Sequence, residues 1–287
     1  MTAPSPQFLD VGPEVGSGVQ SGARRRRIAY LRQPARRPGR PGLVWLCGLK
    51  SEMVSTKAAA VAQWAEAQGL ACLRFDYSGH GQSEGRFEDG TVSRWLDEAE
   101  AAFRALTDGP QILIGSSLGG YIALLLLRRL LQEKRASEQG DAATSGTRQP
   151  TPVADRIKAL VLIAPAWDMS ELMWQRLPAE ARRDIEEKGV FQRPSRYGDG
   201  PYPITRALIE DGRRHLIGRA PFDPGRPVHV IHGRQDPDVP FAHTLGLAAH
   251  LSGGWIRVTP VPDGEHRLSR PEDIALLLAA IAALAAG

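Results

Sequence analysis

The segment Gln111-Ile112-Leu113-Ile114-Gly115-Ser116-Ser117-Leu118-Gly119-Gly120-Tyr121 decides how this chain is read. A short apolar run leads into Gly-x-Ser-x-Gly, and the apolar stretch Leu118–Leu131 follows. The pattern predicts a buried strand, a sharp turn and a helix. Glycines at both ends of the motif make room for a tight backbone. A serine on such a turn stands clear of the sheet edge. The N–H groups that open the helix point at the same spot, where an oxyanion forms during acyl transfer. Ser117 is therefore the candidate nucleophile. A second match, Gly81-Gln82-Ser83-Glu84-Gly85, lies in the polar run Ser78–Gly85, with no strand before it and no apolar helix after it. That context predicts a loop whose serine hydroxyl bonds its own backbone.

A serine hydroxyl needs a base within hydrogen-bond reach, and the base needs an orienting carboxylate. Asp236 follows the apolar run Val228–Ile231, and His266 follows the run Trp255–Val258 through Pro262-Asp263-Gly264-Glu265. Both fall just past predicted strands, as Ser117 does. Asp238 is the second candidate carboxylate, read instead as the negative start of the next helix. The other histidines (His80, His215, His229, His232, His243 and His250) lack such a context, and His232 is expected to pack beneath its turn. An oxyanion site takes two N–H donors, for which Leu118 and Leu49 are the candidates.

Outward from this centre, strands are expected at Ile28–Leu31, Leu43–Cys47, Leu70–Phe75 and Ile157–Ile163. Helices are expected at Lys57–Gln68, Thr91–Leu106, Leu118–Glu133, Pro240–Leu251 and Pro271–Ala286. Strand–helix alternation means an α/β fold with a mostly parallel sheet covered on both faces. The rhythm breaks in residues 166–222, read as a small helical cap. The expected organisation is a flexible tail over 1–23 and a core of 24–165 and 223–287, with a mobile loop at 135–155. Residues Lys50, Met53, Trp167, Met173 and Trp174 are candidates for contact with substrate. Met169, Leu172, Phe191, Tyr197, Tyr202 and Ile204 extend the cap's apolar set.

Composition is ordinary for a soluble globular chain, with 42% hydrophobic residues and a formal net charge of +4. The two cysteines, Cys47 and Cys72, read as small core residues of a reducing compartment. The Arg24–Arg27 cluster lacks interleaved aromatics and is read as a solvated face, so no nucleic-acid partner is expected. No signal peptide is evident. Arg128-Arg129 interrupt one apolar stretch, and Ile274–Ala286 is shorter than the roughly twenty residues of a membrane span. A cytoplasmic location is expected. Zinc-type spacings and a phosphate-cradling lysine loop are missing, so neither metal nor cofactor is expected.

The runs Cys72–Ser83, Gly109–Gly120, His232–Asp236 and Gly264–Arg267 together resemble the alpha/beta-hydrolase domain-containing protein 10 group. The resemblance extends from about residue 43 to the C-terminus. It implies an alpha/beta-hydrolase fold, Ser117 as nucleophile, Asp236 as acid and His266 as base. It also implies palmitoyl-protein thioesterase or carboxylesterase chemistry, including on acyl glucuronides. Animal members carry a mitochondrial targeting segment; here the arginines follow a polar stretch, and the 135–155 segment reads as an insertion. The function expected is a serine hydrolase that cleaves carboxylic esters or acyl thioesters through an acyl-enzyme. The alternatives are a non-catalytic binder of the same fold, and an acyltransferase or C–C bond hydrolase using the same triad.

Overall fold

Apolar runs bounded by turn residues line up side by side in a computed structural model that describes residues 5–12, 26–37, 39–140, 151–195 and 200–286. The strands are β1 Gln7–Val11, β2 Arg26–Gln33, β3 Gly42–Leu46, β4 Cys72–Phe75, β5 Gln111–Ser116, β6 Ile157–Ile163, β7 Val190–Arg193, β8 Tyr202–Thr205, β9 Val228–Gly233 and β10 Ile256–Val261. Eight of them form one sheet in the order β1-β2-β4-β3-β5-β6-β9-β10, and β7 pairs with β8 apart from it. From β4 to β10 every pairing is parallel, while β1–β2 and β2–β4 are antiparallel. β3, β5 and β9 are buried along their whole length, as strands covered on both faces must be.

The helices are α1 Thr56–Gln68, α2 Val92–Leu106, α3 Leu118–Gly140, α4 Val153–Arg156, α5 Met169–Arg176, α6 Ala179–Lys188, α7 Arg206–Gly212, α8 Phe241–His250 and α9 Pro271–Ala285. Gly69, in the left-handed conformation, stops α1, and the Thr91 hydroxyl caps α2 by accepting from the Arg94 N–H. The parallel strands bring the ends of β3, β5, β6, β9 and β10 to one edge of the sheet. Between β6 and β9 the chain makes α5, α6, β7, β8 and α7. These elements bury a small core of their own around Leu177, Ala181, Ile185, Ile204 and Ile209.

Two expectations are corrected. The first residues are not loose throughout, because Gln7–Val11 is a strand whose register runs from Gln7 opposite Tyr30 to Val11 opposite Arg26. Val11 is buried, and the Tyr30 hydroxyl donates to Gln7 Oε1 at 2.7 Å. The supposed loop at 135–155 is also shorter. Arg135–Gln139 are good helix formers and continue α3, while Val153–Arg156 form α4. Lys134 joins the two by bonding the Asp155 carboxylate at 2.8 and 2.9 Å. Residues 1–4, 13–23 and 141–150, with Arg24, Arg25 and Tyr197, lie outside the described residues.

Both cysteines are free thiols buried in the core. Two arginines of the early cluster are occupied within the fold. Arg27 meets Glu84 at 3.1 Å, and Arg26 Nε donates to the wholly buried Glu98 carboxylate at 2.8 Å. Glu98 also accepts from the Ser78 N–H, so it fastens β2 and the turn after β4 to α2. Removing one partner of such a buried pair strands the other. Glu98→Ala is expected to lower the unfolding free energy by about 3 kcal/mol. The test is urea denaturation, which should show a lower midpoint at unchanged slope.

Candidate active site

Ser117 sits between the end of β5 and the start of α3 with φ at +54°, a left-handed backbone that favours glycine. It is held there by its own N–H on the Ile163 carbonyl and by the Gly120 and Ala166 N–H groups on its carbonyl. The flanking glycines are required by close approach. A Cβ on Gly115 would lie 2.3 Å from the Gly119 carbonyl oxygen, and one on Gly119 would lie 2.0 Å from that of Leu46.

The loops after β9 and β10 bring two side chains to this turn. His266 Nε2 lies 3.0 Å from Ser117 Oγ, and His266 Nδ1 lies 2.7 Å from Asp236 Oδ2. With Nδ1–H donating to the carboxylate, Nε2 is left to accept the serine proton. The arrangement is able to move a proton from the hydroxyl to the imidazole and to hold the imidazolium beside a negative charge.

Asp236 is closed off from solvent, and both of its oxygens are engaged. Oδ1 accepts the Asp238 and Val239 N–H groups at 2.8 Å each, and Oδ2 accepts from His266 and from His232 at 3.0 Å. Burial pushes this carboxyl up. The hydrogen bonds from His232 and His266, the charge on His266 and the Val239 N–H outweigh that and hold it well below the usual carboxylate range. His232 does more than pack beneath its turn. Its Nε2 is shared between Asp236 Oδ2 and the Val239 carbonyl, which makes Nε2 the protonated nitrogen, and its Nδ1 accepts from Thr244. The four-residue spacing from His232 to Asp236 was the available signal for this contact.

Asp238, the second candidate carboxylate, precedes α8 and lies 3.7 Å from Arg193. Asp236, Asp238 and His266 offer ligand atoms within 4.8 Å of one another. Because each Asp236 oxygen already accepts two hydrogen bonds, the grouping is explained by the hydrogen-bond network. A further Ser–His–Asp set, Ser93, His215 and Asp211, is structural. The Ser93 hydroxyl and N–H both bond the Asp211 carboxylate at 2.7 Å, which fastens α2 to α7 outside the cavity at Ser117. Ser83 does not bond its own loop as expected: its hydroxyl donates to the Asp76 carbonyl just past β4 and accepts from the Ala29 N–H of β2, because the loop folds back over the end of the β2–β4 pair.

Ser117 and His266 open onto a cavity of about 740 Å³. Gly48 and Leu49 border it, and a Cβ on Gly48 would come within 3.5 Å of Ser117 Cβ, so the loop after β3 lies against the serine. Leu118 opens α3 directly after it. One wall is apolar, built from Met169, Leu172, Met173, Leu177, Phe191 and Tyr202. Of the side chains expected to meet substrate, Lys50 and Met173 border the cavity. Met53, Trp167 and Trp174 do not. Met53 is wholly buried and gives its N–H to the Asp76 carboxylate at 2.6 Å. Trp167 stacks on His243 and His250 and donates Nε1 to the His243 carbonyl. Trp174 packs on the small core and under the Arg213 guanidinium, 5.0 Å from its ring centre.

The family model described as the alpha/beta hydrolase family matches residues 38–275. The chain belongs to the alpha/beta hydrolase family. Among the relatives of this hydrolase is the palmitoyl-protein thioesterase ABHD10, mitochondrial, of Homo sapiens, which is 31% identical over 239 residues. That match takes in 83% of this chain and 71% of the relative. The solved alpha/beta hydrolase domain-containing protein 10 from mouse superposes with a TM-score of 0.77 at 29% identity, covering 98% of each chain. A solved protein from Agrobacterium vitis S4 reaches 0.83 at 38% identity, covering 98% of this chain and all of that one. Est1E from Butyrivibrio proteoclasticus, solved with ferulic acid, shares the fold with a TM-score of 0.67 at 20% identity; the match covers 89% of this chain and 93% of that one. Among the described residues no helix is long and apolar enough to cross a membrane. The relatives are named mitochondrial, which runs against the cytoplasmic location expected from the sequence.

The depressed Asp236 carboxyl links acidity to stability in this hydrolase. A folded-state pKa below the unfolded one adds stability that is present in full above the unfolded value and lost as pH falls toward the folded one. Its contribution at neutral pH is on the order of 2 kcal/mol. Wild type should therefore exceed Asp236→Asn in stability most clearly above about pH 5, with the gap narrowing below about pH 4. Urea unfolding of both proteins between about pH 7 and pH 3 measures this; a gap of constant size across that range contradicts it.

Proposed function

We propose that this alpha/beta hydrolase is a serine esterase or thioesterase acting through an acyl-enzyme on Ser117. The observation that carries the reading is the continuous relay from Ser117 Oγ through His266 to Asp236, with spacings of 3.0 and 2.7 Å, at the floor of a partly apolar cavity. In the reading, Ser117 Oγ attacks the acyl carbonyl and His266 Nε2 takes its proton. Asp236 holds the imidazole in the required tautomer and stabilises the imidazolium. The Leu118 and Leu49 N–H groups receive the oxyanion of the tetrahedral intermediate, where each donor of this kind contributes about 3 kcal/mol. As the C–O or C–S bond breaks, His266 gives its proton to the departing atom. Water, deprotonated by the same imidazole, then releases the acid and restores Ser117.

Residues 166–222 serve in this reading as a cap over the core of 24–165 and 223–287. Met169, Leu172, Met173 and Phe191 then face the acyl group, and the apolar wall suits a hydrocarbon chain. The relatives' name, palmitoyl-protein thioesterase, supports acyl thioesters as one substrate class.

The reading is tested with oxygen esters and thioesters graded from acetyl to palmitoyl, using Ser117→Ala as the blank. Wild type should turn over part of the series, with kcat at least about 10⁴-fold above the variant. A fluorophosphonate probe should label wild type and spare Ser117→Ala. Turnover that survives the substitution excludes Ser117 as the nucleophile.

A further inference from the structure

The cavity at Ser117 is bordered by five cationic side chains, Lys50, Lys57, Arg176, Arg193 and Arg267, and by one described acidic side chain, Asp238. Arg193 lies near that acid, at 3.7 Å. Lys57, in the first turn of α1, is half-buried and directs its ammonium to neutral partners, the Arg267 carbonyl and the Ser269 hydroxyl. Burial, and then the Arg267 charge, draw the Lys57 ammonium down to about 8. Lys57 is half-buried and Arg267 is exposed, both border the cavity, and an anion placed between them relieves the repulsion that Lys57 feels from Arg267.

Their position fixes which part of a substrate they meet. The imidazole that takes the serine proton returns it to the departing atom, so the leaving group lies on the His266 side. Arg267 is the next residue, and Lys57 is bonded to its carbonyl. The hydroxyls of Ser55, Thr56 and Ser269 border the same cavity. An ammonium and a guanidinium beside the hydroxyls of Ser55 and Thr56 suit the three outer oxygens of a phosphate.

We infer that Lys57 and Arg267 bind a phosphate carried on the leaving group of the ester or thioester, an inference that rests on the serine-hydrolase reading above. The substrate class is then an acyl group joined to a phosphorylated alcohol or thiol. The acyl part lies toward the apolar wall and the phosphate toward the loop after His266. The remaining cations keep the mouth of the cavity attractive to such an anion.

Three hexanoyl thioesters test this. S-hexanoyl-pantetheine and S-hexanoyl-4′-phosphopantetheine differ only in the phosphate, and S-hexanoyl-glutathione carries carboxylates instead. The wild-type kcat/KM should favour the phosphorylated thioester over the unphosphorylated one by about 10- to 100-fold. In Lys57→Gln and in Arg267→Gln that ratio should fall toward one, and it is read within each protein, so a general loss of activity does not imitate the result. Equal wild-type turnover of the pantetheine pair overturns the inference and leaves the serine-hydrolase reading standing. So does a glutathione thioester that matches the phosphorylated one, or a preference that persists in both variants. Failure to turn over any of the three, with no fluorophosphonate labelling of wild type, overturns both readings.

Discussion

Asp236 accepts four hydrogen bonds on a side chain that solvent does not reach, and the arrangement around Ser117 depends on it. Two of the donors are backbone N–H groups of its own loop, which fix the carboxylate to the end of β9. The other two are imidazoles. His232 comes from within β9 and is anchored by Thr244 on α8. His266 comes from the loop after β10 and reaches on to the serine. A carboxylate left buried without these donors would take up a proton and lose its hold on the His266 tautomer. The sheet therefore does more than support the site. Parallel pairing along β5, β6, β9 and β10 places the turns that follow β5, β9 and β10 within hydrogen-bond reach of one another.

Much of this was legible from local sequence. The turn at Ser117 was readable because an apolar strand, two close-packed glycines and an apolar helix occupy adjacent positions. Asp236 and His266 were readable because each follows a strand at a similar offset. Ser83 was separable from Ser117 by the polarity of its surroundings alone. What escaped depends on partners far along the chain. β1 is a short segment whose pairing partner begins at Arg26, and nothing local marks it as a strand. The helices between β6 and β9 are short, and their common core is built from residues 177–209.

The side chains around the cavity show the same division. Trp167, Trp174 and Met53 had the right character for contact with a ligand, but large apolar residues fill cores as readily as pockets. Their tertiary partners, His243 and His250, Arg213, and Asp76, decide the matter. Conversely, Lys57, Arg176, Arg193 and Arg267 are scattered along the sequence and look like ordinary surface charge. Only the fold gathers them at one opening. His232 lies between these cases. Its spacing to Asp236 was visible, but its protonated nitrogen is assigned by the carbonyl and hydroxyl that surround it.

The left-handed backbone at Ser117 sets two demands on one residue. Glycine would occupy that conformation without strain, and a side chain there carries a penalty on the order of 1–3 kcal/mol. The surrounding hydrogen bonds to Ile163, Gly120 and Ala166 offset it. A hydroxyl is thus kept at a place where the fold by itself favours no side chain at all. Stability and the proposed chemistry pull in opposite directions at this position, and drift toward the more stable chain would erase the hydroxyl before it disturbed the sheet.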